Sequence, residues 1–110
     1  MNVNKPRVVK DFEKLDVKIQ EQVKLAYPDG FYQNLITYTD KEGRKVSALP
    51  FETEEKYYLI RMSKQTAILL IEEDDDYDDD GLLKEDIKLD LTDKYSENDV
   101  IDSTPEGLDS

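Results

Sequence analysis

The sequence predicts an α+β fold: an N-terminal amphipathic helix packed on a three-stranded antiparallel meander, a short second helix, and a disordered acidic C-terminal tail. Three observations carry this. Apolar residues repeat with helical period over Asp11 to Ala26. Three segments between Phe31 and Met62 are rich in aromatic and β-branched residues and are separated by turn chemistry. The charge of the chain divides near Ile71. Met1 to Ile71 holds twelve basic and ten acidic residues, net +2. Glu72 to Ser110 holds three lysines against seventeen acids, net −14.

A chain of 110 residues is the size of one domain. The boundaries that follow from composition are a flexible leader at 1–9, a small α+β domain at 10–73 and an acidic tail at 74–110. The leader has basic residues and Pro6, with only Val8 and Val9 to pack, and it lacks the apolar region of a signal peptide. In the first helix, Phe12, Leu15, Ile19, Val23 and Ala26 fall on one face. Asp11 and Asp16 both suit the N-cap, and Pro28-Asp29-Gly30 ends the helix.

The strands are expected over Phe31 to Thr39, Lys45 to Phe51 and Lys56 to Met62. Asp40 to Arg44 suits a hairpin turn closed by Gly43 in the left-handed region. Glu52 to Glu55 is short enough to join antiparallel neighbours. Pro50 cannot donate a ladder hydrogen bond and belongs at an edge or a strand end. Ala67 to Ile71 is a continuous apolar run that suits a helix or a buried strand. Ser63 as an N-cap favours the helix.

The chain has neither cysteine nor histidine. Disulfides, the usual zinc ligands and a Cys–His or Ser–His nucleophile are thereby excluded within it. Pairs such as Glu54-Glu55 or Tyr27 with Asp29 have no spacing that demands acid–base work, and exposed loop acids explain them. The expectation is a protein that is not an enzyme. No run approaches the ~20 apolar residues of a membrane span, so the expected location is cytoplasmic, without membrane attachment.

Asp76-Tyr77-Asp78-Asp79-Asp80-Gly81 fits D-x-D-x-D-G, the opening half of an EF-hand calcium loop. Alternate carboxylates would converge on one hard cation and glycine would permit the sharp turn. The match stops at the twelfth position, where Ile87 replaces the bidentate Glu and Asp86 falls one place early. Asp76, Asp78, Asp80 and Asp86 are thus the candidate ligands of a weak Ca2+ site. The commoner reading of such a run is a solvated acidic loop.

Acidic segments engage basic surfaces by plain electrostatics, so the expected partner is a basic protein surface. The aromatic residues Phe31, Tyr32, Tyr38, Phe51, Tyr57 and Tyr58 could make a stacking platform for single strands. That platform needs positive surroundings, which a front part of net +2 barely offers. No direct nucleic-acid binding is expected. A folded part this small buries little of its surface, which favours a weak homodimer through a sheet edge or an apolar patch.

The stretches Leu25 to Phe31, Ser47 to Thr53 and Lys56 to Met62, with the acidic run behind them, resemble a family of short uncharacterised acidic bacterial proteins. The resemblance spans roughly Lys10 to Asp86 and implies a bacterial origin. It brings no activity, cofactor or site residue with it.

Overall fold

A computed structural model describes residues 5–101. Its elements are β1 (Arg7–Asp11), a 3-10 turn (Phe12–Lys14), α1 (Val17–Ala26), a second 3-10 turn (Tyr32–Asn34), β2 (Ile36–Thr39), β3 (Lys45–Glu52), β4 (Tyr57–Arg61), α2 (Lys64–Glu72) and α3 (Glu85–Ile101). The expected α+β class holds. The sheet, however, has four strands rather than three, in the order β1-β4-β3-β2.

The meander β2-β3-β4 is antiparallel, as expected. β1 then runs parallel to β4, with Val8 opposite Tyr58 and Val9 opposite Leu59. This corrects the flexible leader over its last residues, 7–9; residues 1–4 lie outside the described residues. The edge of β4 would otherwise present a row of unpaired backbone groups, and the β-branched pair Val8-Val9 supplies a strand for it. The Tyr57 amide also donates to the Pro6 carbonyl at 3.0 Å.

The helical period of the N-terminal segment is broken at Leu15 and Asp16. Phe12–Lys14 closes as a 3-10 turn, and α1 begins after Asp16, the second of the two expected caps. The first expected strand is shortened because Phe31 turns into the core, 2% exposed, against Phe12 at 5.6 Å between ring centres. The Asn34 side-chain amide donates back to the Gly30 carbonyl at 3.1 Å and favours a turn there. Gly43 closes the hairpin with φ +83°, and its amide donates to the Asp40 carbonyl at 3.0 Å. Pro50 lies beyond the end of β2, whose pairing stops at Ala48. The Tyr27 hydroxyl bonds the Pro50 carbonyl from that open side.

α2 is a helix, capped by Ser63, whose Oγ accepts from the Thr66 amide at 3.0 Å. The core joins Leu15, Val23 and Phe31 to one face of the sheet, Leu49, Tyr58, Ile60 and Met62, and is closed by Ala67 of α2.

The chain does not become a loose tail at Asp74. Tyr77, Leu83 and Leu91 are 5%, 6% and 8% exposed, and α3 packs on α1. The disorder expected over Ser96 to Ser110 is corrected as far as Ile101, where α3 ends, and 102–110 lie outside the described residues.

Candidate interaction surface

The acidic segment is built into the fold by three kinds of contact, all directed at the end of α1. A helix leaves its last carbonyls without intrahelical partners. The hydroxyl of Tyr77 donates to the Tyr27 carbonyl at 3.0 Å, and the Lys24 carbonyl lies 3.4 Å from the same oxygen. The Tyr77 ring meets Phe31 edge to face, with centres 6.2 Å apart. Burial, and then the charges of Asp74, Asp76 and Asp29, push the Tyr77 phenol well above its ordinary pKa. It stays a neutral donor at neutral pH.

The second contact is ionic. Lys24, 9% exposed, places Nζ 2.8 Å from Asp74 Oδ2 and 2.6 Å from Asp76 Oδ2. Burial disfavours the charged ammonium, but the hydrogen bonds and charges of the two carboxylates outweigh it. The net effect raises the Lys24 pKa. A buried lysine is tolerated when it is paired in this way.

The third contact is made by the main chain. The Leu83 amide donates to the Pro28 carbonyl at 2.7 Å. Tyr77 and Leu83 form an antiparallel bridge, and the Lys84 amide reaches the Asp76 carbonyl at 2.8 Å. Between them, Asp78 closes a tight turn. Its Oδ1 accepts from the amides of Asp80 and Leu82 at 2.9 and 3.0 Å. The Asp78 amide donates to the Leu82 carbonyl at 2.8 Å. Gly81 completes the turn with φ +81°, a conformation that glycine adopts without the Cβ penalty.

α3 extends the arrangement. Glu21 of α1 accepts hydrogen bonds from Lys94 Nζ, at 3.0 Å, and from the Tyr95 hydroxyl. Burial tends to raise the Glu21 pKa, but these two donors and the charges of Lys94 and Lys24 lower it overall. The Tyr95 phenol is raised, first by burial and then by Glu21.

The metal-ligand candidates are therefore placed as follows. Asp76 is paired with Lys24, Asp78 bonds the amides of its own turn, Asp80 is exposed at that turn, and Asp86 lies in the first turn of α3. Among the described residues, no group of three or more carboxylates is arranged to hold a metal ion. The aromatic residues of the expected platform are divided: Phe31 and Tyr58 belong to the core, Phe51 packs against it, and Tyr32 is exposed.

What remains on the surface is a set of held carboxylates. Glu72, Glu73, Asp75, Asp79 and Asp80 are exposed around the turn, and Glu85, Asp86, Asp90 and Asp93 are exposed along α3. Sequence reasoning missed the residues that hold them. The signal was Tyr77, an aromatic residue set within a run of acids, and the Leu82-Leu83 pair after it, together with one lysine on α1.

Apart from this surface, an open groove of ≈ 710 Å³ runs past Phe12, Met62 and Leu70. Of the charged groups that line it, Asp11, Glu13, Lys45 and Arg61, the first and last are joined to each other at 3.2 Å. No described helix is long and apolar enough to cross a membrane. Comparison of the chain with protein-family models, with curated proteins and with solved structures finds no match.

Proposed function

We propose that the chain is a non-enzymatic interaction or regulatory module that uses its acidic segment to engage a basic protein surface. The observation that supports this reading is the anchoring of the segment by Lys24, Tyr77 and Leu83. The anchors hold the exposed carboxylates at set positions before any partner arrives. Ordering a loose segment upon binding costs free energy, and a pre-ordered surface avoids most of that cost. Opposite charge then speeds encounter and selects against acidic partners, nucleic acid included.

The test uses substitutions that leave the anchors intact. Asp75→Asn, Asp79→Asn and Asp80→Asn together remove three exposed charges. Affinity for a basic protein captured by the full chain should fall roughly tenfold or more. It should also fall steeply as salt rises from 0.05 to 0.5 M, because exposed charges are screened within ~8 Å at physiological ionic strength. Equal affinity of the triple variant and the parent would overturn the reading.

A further inference from the structure

The core uses only one face of the sheet. Leu49, Tyr58, Ile60 and Met62 point to the helices. The other face contains Ala48 and Leu59, 0% and 3% exposed, as a closed apolar floor. Val9 and Ile36 stand beside it with 40% and 39% of their surface open. The register fixes the pattern across this face. One row reads Arg7, Tyr57, Glu52; the next reads Val9, Leu59, Pro50; the third reads Asp11, Arg61, Ala48, Ile36.

We propose that this face docks a second copy of the same chain, sheet against sheet, about a two-fold axis that crosses the strands at the Val9–Leu59 row. The argument is charge complementarity. Each end of the face carries both signs, so a partner of one sign does not match it, whereas an inverted copy does. Neighbouring residues on one face of a strand are ~7 Å apart, which places Arg7 and Asp11 equally far on either side of Val9. A two-fold axis through Val9 therefore sets Arg7 against the second copy's Asp11, which also holds Arg61 of its own chain at 3.2 Å, and Tyr57 against that Arg61. The apolar row meets itself. Two-fold contacts of this self-complementary kind are the commonest in homo-oligomers, and stacked sheets pack ~10 Å apart at a small angle.

The net charge of −12 does not oppose this arrangement strongly. The acidic segment is bound to α1, whose buried Val23 packs with Leu49 and Ile60 on the core face of the sheet. The two acidic surfaces thus point away from the interface. Only Val9 and Ile36 offer open apolar surface here, so the association expected is weak and needs high protein concentration.

Analytical ultracentrifugation of the full chain in 0.15 M salt, over a concentration series, tests the proposal. The parent should shift from monomer to dimer. Arg7→Glu and Asp11→Arg should each raise the dissociation constant roughly tenfold, since each opposes like charges twice. An equimolar mixture of the two variants should regain near-parental association, because each reversed charge at position 7 then meets a reversed charge at position 11. Val9→Lys, at an exposed edge position, should leave a folded monomer. A parent that stays monomeric to about 1 mM would overturn the proposal, as would a mixture that associates no better than its components or a Val9→Lys dimer of parental strength. Circular dichroism of each variant separates loss of association from loss of fold.

Discussion

Lys24 on α1 and Asp76 in the acidic segment are 52 positions apart in the chain and 2.6 Å apart in the fold. With Asp74 as a second acceptor at 2.8 Å, this contact joins the two differently charged parts of the sequence. It makes the acidic part a component of the domain.

Removing the cation should be costly. Lys24→Met keeps the aliphatic stem but leaves Asp74 and Asp76 facing each other without a counter-charge. The expected destabilisation is about 1–3 kcal/mol, below the 3–5 typical of a fully buried broken pair, because both carboxylates keep some contact with water. Urea denaturation would measure it. The pH dependence has a definite sign. The Lys24 pKa is raised on folding, so its contribution is complete below the ordinary lysine range near 10.5 and is lost as pH rises past the folded value. Glu21 behaves oppositely. Its lowered pKa gives a contribution present above about 4.5 that is lost as pH falls.

Tyr77 divides into two measurable parts. Tyr77→Phe removes the hydroxyl from the α1 carbonyls and should cost about 1 kcal/mol. Tyr77→Ala also removes the ring from Phe31 and should cost roughly 3–5 kcal/mol. If the two variants are equally stable in chemical denaturation, the ring contributes nothing and the packing on Phe31 is incidental.

The expected helix, hairpin and cap were legible because each rests on local chemistry. The spacing of Ile19, Val23 and Ala26, Gly43 in a polar turn and Ser63 before an apolar run need no distant partner. Two features were illegible for the opposite reason. β1 is defined by the open edge of β4, some fifty residues away, and nothing in Arg7-Val8-Val9-Lys10 announces that partner. The acidic segment looked solvated because its charges dominate its composition. Its fold depends on Tyr77, Leu83 and one lysine of α1, and their effect appears only when the end of α1 is in place. The D-x-D-x-D-G match failed to show that Asp76 and Asp78 already have partners.

Calcium should bind weakly at most. A site at this turn would have to take Asp76 from Lys24 and Asp78 from the amides of its own turn. The affinity expected for a loop so short of ligands is on the order of 10⁻⁴–10⁻³ M. Titration followed by the amide resonances of Asp76 to Asp86 should show shallow shifts, similar with magnesium. Saturation at low micromolar calcium, abolished by Asp78→Asn with Asp80→Asn, would contradict this.

Substitution at Gly81 tests the geometry of the turn. A Cβ there has room, with Ile71 Cγ2 nearest at 3.9 Å, so the cost of Gly81→Ala comes from φ +81° alone. It should be about 1–2 kcal/mol, read as a lower melting temperature. Gly43→Ala, also at positive φ and with open space around it, should cost a similar amount. A neutral Gly81→Ala would mean that the turn is not held in this conformation.

Amide hydrogen exchange on the full chain is the most direct measurement of whether the acidic segment is folded in place. The amides of Asp78, Leu83 and Lys84 donate to Leu82, Pro28 and Asp76. They should exchange at least a hundredfold more slowly than an open chain, an opening free energy of about 2.7 kcal/mol or more. Exchange at open-chain rates from Asp74 onward, beside full protection of Leu49 and Ile60, would show a small domain with a loose acidic tail and would contradict the anchored surface.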